Sequence, residues 1–455
     1  MTTLLTLAPD HCAEAVRRLG SRLAARGHDL PLRLWNGEAF GGSAGAGYRL
    51  VLRHPWSLRA LLRPPVDLHA GEAFLTGALD VEGSMVAALR DVARLRHRLT
   101  ARDKLELAAV VLRLPPPPDG LAAGRKRLTG RPHSRERDVA AVRHHYDVGN
   151  DFYRLVLDDD LVYSCGYFAE TDRDATIPDR AALGRAQRRK LELICRKLAL
   201  RPDEHFLDVG CGWGSLVIHA ARRHGVRALG ITLSERQAEL ARQRVAAAGV
   251  SDRVRIVIRD YRDVVERFDA IASVGMVEHV GADLLPTYVK TLYRRLADDG
   301  RLLNHGITTG RRDVVRDFAR SPDTFVGRYV FPDGALVPAH HMVRELERGG
   351  FEIQDLEQLR PHYALTLQHW LGGLEASYDR ARELVGEATA RVWRAYLAGS
   401  VLGFESGDLG VVQILATRSR ARLPLDRRRM LLPMAGDAVS PDGEVVPAVP
   451  RPVSR

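Results

Sequence analysis

The chain has 455 residues, of which 45% are hydrophobic and 27% charged, and its net charge is +11. These values exclude a disordered or collagen-like chain and leave room for two or three domains. No run of about eighteen apolar residues marks a membrane-spanning helix, and the basic excess favours an anionic partner, either nucleic acid or an acidic membrane surface.

The N-terminus lacks the basic start and long apolar stretch of a secretory signal. Residues 1–120 read as a small α+β domain, with an early amphipathic helix, an alternating strand at 47–53 and an apolar-periodic helix at 84–99. The proline run 115–118 ends the last helix of that domain. Residues 121–139 form a basic linker that carries Arg125, Lys126, Arg127, Arg131, Arg135 and Arg137.

From about residue 140 to 420 the pattern changes to strands at 205–209, 227–233, 254–259, 268–276 and 301–309. Helices at 215–224, 234–248 and 283–297 alternate with them. That alternation predicts a parallel sheet covered on both faces. Residues 421–455 form a basic, Pro-rich tail expected to be poorly ordered. The four cysteines, Cys12, Cys165, Cys195 and Cys211, show no spacing typical of a zinc site or disulfide framework. No metal is therefore expected, and a reducing, cytoplasmic compartment is the simplest reading.

The segment Phe206-Leu-Asp-Val-Gly-Cys-Gly-Trp-Gly-Ser215 carries a strand into a Gly-rich turn that opens a helix. Glycine lets the backbone approach a ligand where a Cβ would collide. Such a turn also suits dinucleotides. The spacing Gly210, Gly212, Gly214, with Asp208 leading in, differs from the dinucleotide fingerprint and resembles the first motif of class I S-adenosylmethionine-dependent methyltransferases. In most of these an acidic residue ends the second strand and binds the ribose hydroxyls. Here that strand ends Gly230-Ile-Thr-Leu-Ser234 without a carboxylate. The departure matches a subgroup in which Thr232, Leu233 and Gln237 line the nucleoside. Asp260 and Tyr261 then fall at the adenine, as a carboxylate for the exocyclic amine and a ring for stacking.

Further motifs follow in order: His145-Tyr-Asp-Val-Gly-Asn-Asp-Phe-Tyr153, Val162-Tyr-Ser-Cys-Gly-Tyr-Phe168, Val277-Glu-His-Val-Gly281, Phe325-Val-Gly-Arg-Tyr-Val-Phe-Pro332 and Tyr363-Ala-Leu-Thr-Leu-Gln-His-Trp370. Together with 207–215 they make the chain resemble the cyclopropane-fatty-acyl-phospholipid synthase family, which includes mycolic acid cyclopropane synthases and fatty acid methyltransferases. The resemblance implies an α/β class I methyltransferase, a Rossmann-like sheet with helices on both faces, preceded by the smaller α+β domain. It implies methyl transfer from S-adenosylmethionine to the cis double bond of an unsaturated acyl phospholipid. Bound bicarbonate then takes the proton that the resulting carbocation loses. In that scheme the Cys165 and Ile307 backbones and the Glu278, His305 and Tyr363 side chains hold the bicarbonate, while Tyr163 and Ser164 close over the methionine part of the cofactor.

Cys165 is not expected to act as a nucleophile, since the chemistry has no covalent step. His144, His145, Tyr146 and Asn150 are read as either gating the cofactor or structural, and residues 311–338 as either covering an acyl tunnel or an aromatic satellite core. Where some relatives have a cysteine in the C-terminal helix, this chain has Ser400. Length favours intact phospholipid as substrate, and the N-terminal domain is expected to dock peripherally on the inner face of the membrane and to assist formation of a homodimer. Proton loss from the new methyl gives a cyclopropane. The alternative outcome is a methylene branch that a partner reductase would saturate. Two other readings are a small-molecule or nucleic-acid methyltransferase, the latter without any RNA-binding module or aromatic-basic interleaving, and a non-catalytic protein that binds lipid and S-adenosylmethionine.

Overall fold

The computed structural model describes residues 9–42, 45–118, 130–146, 148–310, 315–317, 323–421, 423–424, 426 and 430. These form two compact units: Met1–Leu155 with Arg316–Ala335 and Leu374–Asp408, and Val156–Val315 with Leu336–Gly373 and Leu409–Arg455. This division runs differently from the consecutive segments 1–120, 121–139 and 140–420, because late segments of the chain fold back onto early ones.

In the first unit, strands β1 (Leu32–Arg33), β2 (Ala39–Phe40), β3 (Tyr48–Leu52) and β4 (Leu79–Gly83) form a sheet in the order β2-β1-β3-β4. The helix Met85–Arg98 starts where the Ser84 side chain accepts the Ala87 amide, satisfying one of the donors left open at a helix start. Ala101–Arg113 starts on a reciprocal capping box between Thr100 and Asp103 and stops at Leu114, just before the prolines. The helix Glu387–Ser406 packs on Met85–Arg98 and Val66–Leu75. It is held there by ion pairs of Arg391 with Asp80 and Arg90 with Glu405, and by Arg394 donating to the Val81 and Gly83 carbonyls.

The basic linker partly dissolves into this unit. Residues 125–127 lie outside the described residues, but Arg135–Tyr146 is helical. Arg137 makes a two-pronged pair with buried Asp333 at 2.6 and 2.7 Å, so its charge is committed to the protein. His145 stacks on Phe331 with centroids 4.0 Å apart, and Trp393 packs against His145, Phe152 and Tyr153. His145 and Tyr146 are thus members of an aromatic cluster; the His144 side chain lies outside the described residues.

In the second unit, β5 (His205–Val209), β6 (Arg227–Thr232), β7 (Val254–Ile258), β8 (Phe268–Val274) and β9 (Leu296–Thr309) pair in parallel in the order β9-β8-β5-β6-β7. The strand Leu409–Thr417 joins β9 antiparallel, and Glu352–Gln358 pairs antiparallel with it. The alternation of side chains along each strand separates two cores. Phe206, Ala228, Ala270 and Leu303 face the helices Arg180–Lys197, Ser215–His224 and Glu235–Ala247, while Leu207, Leu229, Ile271 and Leu302 face Leu285–Arg295 and Ala339–Arg348. β9 begins five residues before the expected 301, because Leu296 already pairs with Phe268 across a register shift.

Candidate active site

β5 delivers Asp208 and then turns through Gly210, Gly212 and Gly214, whose φ values are +80°, +53° and +84°. Glycine adopts this left-handed backbone without strain. The Gly210 and Cys211 amides donate to the Ile231 carbonyl at 3.0 and 2.9 Å, tying the turn to β6. A Cβ added at Gly212 would meet nothing within 4 Å, so bare backbone faces open space.

At the end of β6 the Thr232 hydroxyl donates to Gln237 Oε1 at 2.9 Å and accepts the Ser234 amide at 3.2 Å. Leu233 lies half-buried between them. No carboxylate occupies this strand end. After β7, the Asp260 carboxylate accepts the Arg262 amide and guanidinium. Tyr261 packs edge-on against Tyr288 with centroids 5.5 Å apart.

Sequence reasoning missed the group that supports the Tyr163–Ser164 segment. Lys190 is 1% exposed and donates to Ser164 Oγ at 2.7 Å. Buried Gln187, one helical turn earlier, donates to the Val162 and Ser164 carbonyls at 3.3 and 2.8 Å. Burial lowers the Lys190 ammonium to about 8, opposed by the nearby Cys165, Asp158 and Asp208. Burial also lifts the Asp208 carboxyl to about 7, opposed by Lys190, and Asp208 Oδ1 has no hydrogen-bond partner. The signal available in the sequence was two polar residues interrupting the apolar stripe Leu183, Ala186, Leu191, Ile194.

The helix Arg360–Ala376 clamps the same segment from another side. Thr366 Oγ1 accepts the Gly166 amide at 3.0 Å, and His362 Nδ1 accepts the Phe168 amide at 3.1 Å. Tyr163 stacks on Trp370 at 5.0 Å, and Tyr363 meets the same ring edge-on at 5.9 Å.

A chain of contacts joins the five remaining residues. Glu278 Oε1 accepts the Ile307 amide at 2.7 Å. Ile307 is in register with Val411, whose carbonyl accepts the Leu359 amide at 2.8 Å. The Leu359 carbonyl in turn accepts from the Cys165 thiol at 3.7 Å and from the Tyr363 amide at 3.1 Å. His305 lies two residues before Ile307 on β9, so both side chains share one face. The Ile307 N–H is thus taken up by Glu278 and not presented to a ligand. Burial pushes the Cys165 thiol up, which keeps it protonated and unreactive.

Burial raises the Glu278 carboxyl to about 7, against the Ile307 hydrogen bond, and Glu278 Oε2 has no partner. Burial lowers His305 to about 3, with the charges of Lys190 and Lys197 adding to it, so the ring is neutral. The Gln413 amide donates to His305 Nδ1 at 3.2 Å. That contact leaves the proton on Nε2, which also lacks a partner. A carboxyl that burial shifts toward its protonated form and an imidazole N–H, both buried and unsatisfied, suit a small oxyanion. The glycine turn, the locked Thr232–Gln237 pair and the unpaired Asp208 oxygen suit an extended nucleoside ligand beside it.

The family model for mycolic acid cyclopropane synthetase matches residues 133–414. A probable fatty acid methyltransferase from Pseudomonas putida is 39% identical over 394 residues, covering 86% of this chain and 92% of that protein. The cyclopropane-fatty-acyl-phospholipid synthase of Escherichia coli (strain K12) is 32% identical over 285 residues, covering 63% and 69%. Among solved structures, the mycolic acid cyclopropane synthase CmaA1 complexed with SAH and CTAB aligns with a TM-score of 0.56 at 32% identity, covering 62% of this chain and 98% of that one.

Proposed function

The chain belongs to the mycolic acid cyclopropane synthetase family and is an S-adenosylmethionine-dependent methyltransferase; from that premise we propose that it acts on the cis double bond of an unsaturated acyl chain in a phospholipid and closes a cyclopropane ring. The observation that carries this reading is the pair of buried, unpaired atoms Glu278 Oε2 and His305 Nε2 at the same sheet edge as the glycine turn.

When bound, S-adenosylmethionine supplies the sulfonium methyl, and a bicarbonate ion held by Glu278 and His305 supplies a base. Gly210, Gly212 and Gly214 accept the cofactor against bare backbone, Thr232 and Gln237 line the nucleoside, and Tyr163 and Ser164 close over its methionine end. The bound cofactor would supply its methyl to the alkene, and the positive charge left on the acyl chain would need shielding from water. Tyr163, Trp370 and Tyr363 pack ring against ring beside the Tyr163–Ser164 segment, an apolar cluster suited to excluding water. Loss of a proton from the new methyl then closes the ring.

A second reading keeps the same residues but has a hydride move from the methyl-bearing carbon to the neighbouring cation before the new methyl loses its proton, giving a methylene branch for a partner reductase. The Pseudomonas putida relative, named a probable fatty acid methyltransferase, favours it. Incubation with S-adenosylmethionine, bicarbonate and cis-monounsaturated phospholipid vesicles, followed by proton NMR of the fatty acid methyl esters, separates the two. Upfield ring protons are expected; vinylidene protons would establish the branch, and unmodified lipid would overturn the substrate.

The proposal extends to a homodimer that docks peripherally on anionic lipid, where each Lys or Arg near the surface contributes about 1 kcal/mol. No helix among the described residues is long and apolar enough to cross a membrane. Deleting residues 1–120 is a poor test of docking, since it removes Asp80, Val81 and Gly83 from beneath Arg391 and Arg394. Vesicle co-sedimentation of the full chain at rising salt is the better measurement.

One variant tests the cofactor cradle directly. Gly212→Ala is expected to cost about 1–2 kcal/mol in stability through its left-handed backbone. It should weaken S-adenosylhomocysteine binding by at least about tenfold, some 1.4 kcal/mol, read by calorimetric titration. Unchanged affinity would remove that turn from the cofactor site.

A further inference from the structure

We propose that Cys195, His219 and His224 bind one divalent transition-metal ion of the zinc class. The three residues are far apart in sequence and come from two helices, Cys195 from the last turn of Arg180–Lys197 and the histidines from Ser215–His224. The cysteine sulfur and one ring nitrogen from each histidine lie within 4.8 Å of one another. Zinc–sulfur and zinc–nitrogen bonds of about 2.3 and 2.0–2.1 Å place tetrahedral ligand atoms somewhat closer than that, so small side-chain adjustments complete the site. A thiolate with two imidazoles is a donor set that selects zinc-class ions over magnesium or calcium.

Glu192 supplies the outer partner that such sites use to orient their histidines. Its Oε2 lies 3.0 Å from His219 Nε2 and 3.2 Å from His224 Nε2, and its Oε1 accepts from Arg196 Nε at 2.8 Å. With Nε2 of each ring donating to this carboxylate, the lone pair of each ring is left on Nδ1. The carboxylate also offsets the charge of the ion. Cys195 is fully buried, whereas His219 and His224 are 16% and 17% exposed, so the metal enters from the histidine side. Three protein donors leave a fourth position for water. The ion would join the helix that carries Lys190 to the helix that starts at the glycine turn, bracing the cofactor cradle from behind.

The test uses tag-free full-length protein, stripped with a chelator, desalted, and titrated with Co²⁺ and then Zn²⁺. One equivalent of Co²⁺ is expected to give visible d–d bands and a near-ultraviolet thiolate-to-cobalt charge-transfer band, both bleached by Zn²⁺. Zn²⁺ should also raise the melting temperature. Cys195→Ser should abolish the charge-transfer band, and Cys195→Ser, His219→Gln and His224→Asn should each weaken Zn²⁺ binding at least about tenfold. Exposed His97→Gln should bind as the parent does. Circular dichroism of each metal-free variant separates lost binding from lost folding, and the two histidine variants carry the test if Cys195→Ser does not fold. No binding, or binding that all three substitutions leave unchanged, would overturn the site.

Discussion

Replacing Glu278 with Ala is expected to lower turnover by about a hundredfold to a thousandfold, whereas Gln should keep at least about a tenth of it. The magnitude is that of losing one preorganised donor to a reacting anion. Gln retains an acceptor for the Ile307 amide and an N–H where the protonated carboxyl has its O–H; Ala retains neither. Because the Glu278 carboxyl is raised to about 7, wild-type turnover should fall as pH rises through that value and the ionised carboxylate repels the anion. The Gln variant should be flat over the same window.

Stability changes with the same sign. A carboxyl whose folded pKa is raised contributes stability that is present below its unfolded value and is lost as pH rises through about 7. The Gln variant should therefore melt above wild type at pH 8 but not at pH 5. A Gln variant as inactive as Ala would show that Glu278 must carry charge, and would sink its role as a neutral donor.

Replacing Lys190 with Met should weaken S-adenosylhomocysteine binding by at least about tenfold and destabilise the fold by roughly 1–3 kcal/mol, the range for leaving a buried partner without its hydrogen bond. Lys190 is the buried cation facing Asp208 and Asp158, whose carboxyls burial already lifts to about 7 and about 6. Without it both rise further, and Ser164 loses the donor that holds its hydroxyl in place. Adding Asp208→Asn to the Met variant should recover part of the stability, because a neutral pair strands less charge. Arg should not rescue, since a planar guanidinium does not fit a fully enclosed ammonium site. Calorimetric titration and thermal melts read both effects. Wild-type affinity and melting temperature in Lys190→Met would reduce the residue to a bystander.

Much of the catalytic unit was legible because its signals are local. Alternating apolar runs marked β5 to β8 within two residues at each end. The glycine spacing at 210, 212 and 214 marked a left-handed turn that few other residues adopt. Gly230-Ile-Thr-Leu-Ser234 foretold a strand end without a carboxylate, and the structure has Thr232 locked to Gln237 there.

What depended on register and helix packing was not legible. Lys190 and Gln187 interrupt an apolar stripe in the sequence, and only helix packing turns them onto Ser164. The loop after β8 brings Glu278 onto the Ile307 amide, a pairing between β8 and β9 that no local pattern shows. The early and late chain segments of the first unit meet through ion pairs more than three hundred residues apart in sequence, Arg391 with Asp80 and Arg90 with Glu405. Cysteine spacing gave no hint of this cluster, because Cys195, His219 and His224 become neighbours only when two helices pack on one face of the sheet. The sequence by itself determined the elements, the glycine turn and the class of chemistry, since backbone preference and side-chain period act over a few residues. The tertiary structure decided which buried charges face one another, because those pairings are set by strand order and helix docking across distances that no local pattern encodes.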